Sequence, residues 1–146
     1  MSWLATLGVW AVGIDIVPAM ATHCRRRGHV VVVQDMEQLG IRGCFDWVLC
    51  IGSLEFAARP RQVITGLSAC LRPGGRFVLL FPRRGWLGTV YAAYHRTHGM
   101  RIHLFSGEEI RGSMRAAGLQ PQPGWRDCWL STLALATRTD EAGRAA

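Results

Sequence analysis

This chain of 146 residues contains no lysine, so its formal net charge of +7 comes from arginine alone. The arginines are spread along the sequence, whereas nucleic-acid binding usually requires a clustered basic face with aromatic platforms. We therefore interpret the charge as a compositional bias on solvated surfaces, and nucleic acid is not the partner that we expect. A nucleic-acid-associated protein stays open as a third hypothesis about function.

Zinc-type cysteine spacing and long apolar runs are also missing. The five cysteines form no Cys-x-x-Cys pair, so we expect no metal site. Their odd number, mostly within apolar stretches, indicates reduced thiols in a cytoplasmic protein. The apolar beginning of the chain has no basic segment, and Asp15 interrupts it before the ~20 residues of a membrane span. The sequence therefore predicts a cytoplasmic protein without a membrane span.

The elements that are present alternate between strands and helices, which indicates an α/β fold with a mostly parallel sheet. Four consecutive valines at 30–33 predict a strand covered on both faces. The string from Ser106 to Glu109 is typical of a capping box, which predicts that a helix begins there. Strands are predicted at 9–15, 30–33, 45–51 and 76–81, helices at 18–27, 60–71 and 106–117, and a closing antiparallel hairpin at 122–128 and 129–137.

Three segments in this order carry a resemblance to a known family. An early strand ends at Asp15, an apolar strand ends just before Gly52, and a Leu-Arg-Pro-Gly-Gly turn at 71–75 joins a helix to a strand. Ligands bind at the carboxyl ends of strands in open α/β sheets. From about residue 8 to 138, the chain resembles the class I S-adenosylmethionine-dependent methyltransferases, of the small-molecule, type 11-like kind. The resemblance implies a Rossmann-like sheet, mostly parallel with a C-terminal antiparallel hairpin, and S-adenosylmethionine as the cofactor.

A glycine-rich loop of the Gly-x-Gly-x-Gly type occurs nowhere in the sequence. The resemblance therefore implies a truncated domain that lacks the N-terminal strand and loop. We expect residues 1–138 to form this partial methyltransferase domain, with a lid-like insertion at 83–103 and a disordered tail at 139–146. Because the missing strand would leave its neighbours unpaired, we expect one of three outcomes. The two halves of the sheet close up, residues 1–8 complete the sheet, or a partner chain or second copy does so.

Two aspartates are candidates for binding the nucleoside part of the cofactor. A carboxylate at the end of a strand can accept hydrogen bonds from both ribose hydroxyls, and the resemblance implies this role for Asp15, with Ile16 packing on the adenine. The alternative is an exposed or helix-capping aspartate. Asp35 resembles the family's acceptor for the adenine amino group, with Met36 as the adjacent contact. Its alternative is a loop aspartate without a partner.

The strand that ends at Ile51 and Gly52 is where, in the family, main-chain carbonyls meet the amino group of the cofactor. A histidine that could serve as a base in related sequences is Phe56 here, so no catalytic residue can be carried over at that position. His95 and His98 are the remaining candidates for a base, and the alternative is that they are surface histidines.

The resemblance implies S-adenosylmethionine-dependent methyl transfer to a small-molecule acceptor. Methyl transfer depends mainly on positioning, and a base is needed only when the acceptor must lose a proton. The alternative is a degenerate methyltransferase-like domain that acts as a non-catalytic interaction or regulatory protein.

Overall fold

The computed structural model describes residues 2–139, which divide into two compact units between Leu39 and Gly40. Each unit has its own sheet. The first contains α1 (Ser2–Thr6), β1 (Val12–Asp15), α2 (Pro18–Arg26), β2 (Val30–Val33) and a 3₁₀ turn at Met36–Gln38. The second contains β3 (Phe45–Ile51), a 3₁₀ turn at Leu54–Phe56, α3 (Pro60–Cys70), β4 (Leu71–Pro82), α4 (Trp86–Thr97), α5 (Gly107–Ala116), β5 (Leu119–Pro121), β6 (Arg126–Cys128) and β7 (Ser131–Arg138). The predicted tail lies, apart from Thr139, outside the described residues.

The first unit is a strand–helix–strand crossover. Parallel strands cannot be joined by a tight turn, and α2 makes the connection between β1 and β2, which run parallel. Pro18 occupies the first turn of α2, where its missing N–H is tolerated. Gly28 follows the helix with a φ of +79°, a left-handed conformation that favours glycine. The helix predicted at 18–27 is therefore confirmed to within one residue.

The valines of β2 differ from the prediction in their exposure. Val31 is buried, whereas the other three valines of the strand are exposed, so the prediction of a strand covered on both faces is wrong. Successive side chains of a strand point to opposite faces. A run of β-branched residues therefore indicates a strand, but it does not show that both faces of that strand are covered.

The sheet of the second unit is mixed. Its strand order is β3-β4-β7-β5, and β6 also pairs with β7. The β3–β4 pair is parallel, whereas β7 runs antiparallel to β4, β5 and β6. The hairpin of β6 and β7 confirms the predicted C-terminal hairpin, although β6 is shorter than expected and β5 precedes it.

The Leu-Arg-Pro-Gly-Gly turn at 71–75 lies in a β-bulge between β3 and β4. Phe45 pairs with Leu71, but the next pair is Trp47 with Arg76, so the residues between 71 and 76 bulge out of register. Gly74 has a φ of +74°. At Gly75, an added Cβ would come within 2.8 Å of the Arg72 carbonyl oxygen. The turn therefore requires glycine at both positions for backbone reasons.

The core of the second unit covers one face of its sheet. Helix α3 contacts β3 and β4, and α5 contacts α3 and β5. On β3 the exposure alternates, with Val48 and Cys50 buried while the other face is open. The open face exposes about half of each large apolar side chain on β3, namely Trp47 (50%), Leu49 (51%) and Ile51 (47%). The second unit thus has an uncovered apolar surface on β3.

The stretch at 83–103 contains a regular 12-residue helix, α4, although its sequence shows no clear periodicity. The interpretation of this stretch as a lid-like insertion stays a prediction. None of the described helices combines the length and apolarity that crossing a membrane demands. Within residues 2–139, no cluster of three or more His, Cys, Asp or Glu side chains could hold a metal ion.

Candidate functional site

The two predicted nucleoside-binding aspartates lie at the same end of the sheet in the first unit. Asp15 is the last residue of β1, and its carbonyl oxygen accepts a hydrogen bond from the backbone N–H of Gln34 at 3.1 Å. Asp35 directly follows Gln34 in the sequence. The parallel pairing of β1 and β2 therefore brings Asp15 and Asp35 together at the carboxyl ends of both strands.

Both aspartates also cap the turn that follows them. The Oδ1 atom of Asp15 accepts a hydrogen bond from the backbone N–H of Val17 at 2.9 Å. Similarly, Oδ1 of Asp35 accepts one from the N–H of Glu37 at 2.8 Å. These bonds orient each carboxylate and use only one of its two oxygens. The capping alternative is thus realised for Oδ1 of Asp15, whereas the alternative of a loop aspartate without a partner is wrong for Asp35. Oδ2 of each aspartate takes no part in these bonds.

Each aspartate is followed by an apolar side chain. Ile16 exposes 64% of its surface, and Met36 is half-buried at the beginning of the 3₁₀ turn. A carboxylate next to an exposed apolar side chain can accept hydrogen bonds from a polar group while the apolar side chain packs against a flat ring. The role of these four residues in binding the ribose and adenine stays a prediction.

In the second unit, Gly52 follows β3 with a φ of +62°. An added Cβ there would meet no atom within 4 Å, so the space above the residue is open and the constraint comes from the backbone alone. The carbonyl oxygen of Ile51 accepts a hydrogen bond from the Ser53 hydroxyl at 3.3 Å. Ile51 and Gly52 are both exposed, and their contact with a cofactor stays a prediction.

Glu55 is a residue that the sequence analysis did not select. It lies in the 3₁₀ turn after β3, and only 3% of its surface is exposed. Its Oε2 atom is buried without a hydrogen-bond partner. Burial raises the pKa of the Glu55 carboxyl above its ordinary value of 4.5. The signal in the sequence is an acid between Leu54 and Phe56 just after an apolar strand.

The two candidate histidines have different environments on α4. The His95 ring is half-buried and makes edge-to-face contacts with Phe56, at 5.4 Å between ring centroids, and with Tyr91, at 4.5 Å. Its Nδ1 atom is buried and has no hydrogen-bond partner. His98 is exposed, and its Nδ1 lies 2.9 Å from the carbonyl oxygen of Tyr94 in the same helix. The structure thus favours His95 over His98 as a functional group.

Glu55 is linked to His95 through Phe56, which follows Glu55 in the chain and contacts the His95 ring at 5.4 Å between centroids. Burial raises the pKa of the Tyr91 hydroxyl, and the negative charge of Glu55 raises it further. Burial is the main cause that raises the pKa of the Cys50 thiol to about 12, and the negative charge of Glu55 is the second cause. Since Tyr91 also contacts His95, we define the Glu55 cluster as Glu55, Phe56, Tyr91 and His95.

A groove of about 460 Å³ lies elsewhere on the second unit, between the first turn of α3 and α5. Glu109 lines it, but this carboxylate already accepts hydrogen bonds from the Ser106 backbone N–H at 2.7 Å and from Arg84 at 3.0 Å. These bonds hold Glu109 in the predicted capping box, which is confirmed. Because its acid is used structurally, the groove is a weaker candidate than the Glu55 cluster.

A search for related sequences finds a matching family. The family model described as a methyltransferase domain matches residues 1–79, just over half of the chain. An uncharacterized protein of Methanocaldococcus jannaschii, MJ1123, is 32% identical over 82 residues, which cover 55% of this chain and 40% of that protein. The chain therefore spans about two fifths of the length of this curated relative.

Solved structures share the fold at low sequence identity. A Thermotoga maritima protein titled "SAM-dependent methyltransferase, possible histamine N-methyltransferase" has a TM-score of 0.78 at 21% identity, covering 94% of this chain and 76% of its own. A SAM-dependent methyltransferase of Methanosarcina mazei has a TM-score of 0.80 at 14% identity, covering 94% and 86%. Magnesium protoporphyrin IX methyltransferase of Synechocystis, with bound SAH, has a TM-score of 0.75 at 21% identity, covering 93% and 67%. These likenesses confirm the predicted Rossmann-like α/β fold.

Proposed function

We propose, on the premise that this chain belongs to the class I S-adenosylmethionine-dependent methyltransferases through its methyltransferase domain, that it transfers a methyl group from S-adenosylmethionine to a small-molecule acceptor in the cytoplasm. The observation that carries the proposal is the pair of aspartates at the carboxyl ends of β1 and β2. These strands lie within the residues that the family model matches. The fold class alone would not justify an activity.

Asp15 is the proposed ligand of the ribose hydroxyls. Its carboxylate has a fixed orientation because Oδ1 accepts the Val17 N–H. A carboxylate oxygen carries more than one lone pair, so this bond is compatible with a further hydrogen bond from a hydroxyl. Ile16, which is exposed, would pack on the adenine. Asp35 would accept a hydrogen bond from the adenine amino group, with Met36 beside the ring.

For Ile51 and Gly52, the proposal made from the sequence concerns the amino group of the donor. Their backbone carbonyls would accept hydrogen bonds from its amino group, and the open space at Gly52 supports a close approach. When bound, S-adenosylmethionine supplies a methyl group on a positively charged sulfur. The chain itself then has to orient the acceptor, exclude water and, for some acceptors, remove a proton.

A calorimetric titration with S-adenosylhomocysteine, the demethylated product, tests the proposal. The Asp15→Asn variant keeps an oxygen that can cap the Val17 N–H but loses the negative charge. We expect its affinity to fall about ten- to a hundredfold, because hydrogen bonds to a charged acceptor are the stronger ones. The matched control is Asp46→Asn, which removes an exposed carboxylate paired with Arg72 at 3.0 Å and should leave the affinity unchanged. Equal affinity of Asp15→Asn and the unmodified protein would count against the ribose assignment.

The open apolar face of β3 favours a second candidate function, that of a non-catalytic interaction or regulatory protein. Trp47, Leu49 and Ile51 each expose about half of their surface on one face, and contiguous exposed apolar surface typically marks an interaction site. β3 also ends its sheet, so one of its edges could pair with a strand of another chain. If the unmodified protein releases no heat with millimolar S-adenosylhomocysteine, this second function is favoured over catalysis.

A further inference from the structure

We propose that the Glu55 cluster binds the methyl acceptor, and that the acceptor carries a basic nitrogen, either a protonated amine or a protonated nitrogen heterocycle. This inference rests on the proposed function and deepens it by naming a class of acceptor.

The first argument is the location of unsatisfied polar atoms. Among the described residues, the buried side-chain atoms without a hydrogen-bond partner are Oε2 of Glu55 and Nδ1 of His95. Both residues belong to one cluster, although they come from a 3₁₀ turn and a helix that are distant in sequence. Leaving such atoms unpaired is unfavourable for folding. Because Phe56, the residue after Glu55, contacts the His95 ring, the two unsatisfied groups indicate a site that is completed by a ligand.

The second argument is the charge of the cluster. The carboxylates of Asp46, Asp127 and Glu109 each pair with an arginine. Glu55 is almost fully buried, and its Oε2 has no partner. A buried carboxylate in this state is stabilised most by a cation that also donates a hydrogen bond. A protonated nitrogen provides both, whereas an alcohol provides only the hydrogen bond.

The third argument is the aromatic surroundings. Phe56, Tyr91 and Tyr94 all contact the His95 ring, at 5.4, 4.5 and 5.6 Å between centroids. Aromatic ring faces attract organic cations. Phe56 of the cluster and the neighbouring Tyr94 expose 43% and 60% of their surfaces, so the rim of the cluster is accessible from solvent although Glu55 itself is shielded. Nδ1 of His95 is available for a second polar group of the acceptor.

The cluster can also prepare the nitrogen for methylation. A protonated nitrogen has no lone pair to donate, so it must first lose a proton. Transfer of one proton from the R–NH₃⁺ group to the Glu55 carboxylate forms an O–H bond and breaks an N–H bond, leaving a neutral amine and a carboxylic acid. The burial that raises the pKa of Glu55 makes it a better proton acceptor than an exposed glutamate.

The experiment compares two probes of the same shape, 2-phenylethylamine and 2-phenylethanol, by calorimetry with the full chain. The amine is expected to bind at least about tenfold more tightly than the alcohol, and Glu55→Gln should remove this preference by lowering amine affinity about ten- to a hundredfold. The control Glu108→Gln removes an exposed acid at the beginning of α5 and should keep the preference. His95→Phe keeps a ring but loses Nδ1, so amine affinity should change by less than in Glu55→Gln.

Circular dichroism of each variant establishes that it folds. Equal binding of amine and alcohol, or a preference that persists in Glu55→Gln, would overturn the inference. S-adenosylhomocysteine is titrated separately on the same samples. If it binds while the amine preference is absent, the amine site is refuted and the proposed function stands. If it does not bind while the Glu55-dependent preference is present, the proposed methyl transfer is refuted and the amine site stands.

Discussion

Replacing Glu55 by glutamine should stabilise the folded protein while impairing its site. Glu55 is 3% exposed and its Oε2 has no partner, so the ionised carboxylate is buried at a cost that the neutral amide largely avoids. Because the amide removes the buried charge, we expect Glu55→Gln to raise the free energy of unfolding by about 1–2 kcal/mol at about pH 8. A residue that lowers stability in this way is typical of a binding site.

The pH dependence of this effect follows from the raised pKa of Glu55. Because the pKa in the folded state lies above its ordinary value of 4.5, protonation of Glu55 favours the folded state. This contribution is fully present below pH 4.5 and is lost as the pH rises through the folded-state pKa. The advantage of Glu55→Gln should therefore be absent in acid and grow as the pH rises.

Urea unfolding followed by circular dichroism between about pH 4 and about pH 8 measures this difference. The control Glu108→Gln should gain no stability, because Glu108 lies in the first turn of α5, where the helix dipole favours a negative charge. The reasoning about Glu55 would be refuted by an advantage of Glu55→Gln that shrinks as the pH rises, or by equal stability of the variant and the unmodified protein at every pH.

Three further predictions concern the second unit. The Arg138 guanidinium donates hydrogen bonds to backbone carbonyls at the end of α3. Arg138→Ala should therefore lower the free energy of unfolding, measured by urea titration, by about 2–3 kcal/mol. A loss below ~0.5 kcal/mol would contradict this role. Ser106→Ala should lower the free energy of unfolding by about 1 kcal/mol, because it removes the side-chain cap of α5. The hydrogen bond from the Ser106 backbone is the main cause that lowers the pKa of Glu109. The stability that the capping box contributes should therefore be lost as the pH falls from 4.5 through the lower folded-state pKa. A contribution that does not change in acid would contradict this prediction. Burial raises the thiol pKa of Cys50 from 9.0 to about 12, so Cys50 should hold about a thousandfold less thiolate than an ordinary cysteine at neutral pH. Mass spectrometry after iodoacetamide treatment should find the exposed Cys44 modified before Cys50. Equal rates of modification would be inconsistent with the burial of Cys50.

Several parts of the fold follow from local sequence patterns. Pro18 and Gly28 bound α2, and Ser106 with Glu109 begins α5 through the capping box, because each acts on backbone groups within a few residues of itself. The turn at 71–75 is equally local, since Gly74 and Gly75 are required by backbone conformation and close approach. The family resemblance depends on the order of such local signals, which is why the sequence was sufficient to recognise it.

The exposure of the strands could not be read from the same patterns. The valine run at 30–33 and the apolar strand β3 each have an open face, because coverage depends on which helices pack there and not on the strand itself. Helix α4 was missed for a related reason. Trp86, Val90 and Tyr94 lie on one face of the helix but are exposed, while His95 turns toward Phe56, so the apolar residues do not mark the face that packs.

The candidate site shows the same division. Asp15 and Asp35 could be selected from sequence because each ends a strand, and the parallel register of β1 and β2 brings them to one edge. The Glu55 cluster could not, because burial of a carboxylate and the approach of His95 depend on contacts between residues about forty positions apart. Short-range backbone chemistry is encoded within a few neighbouring residues, whereas the burial of the Glu55 carboxylate and the contact of His95 with Phe56 arise only when distant segments pack together.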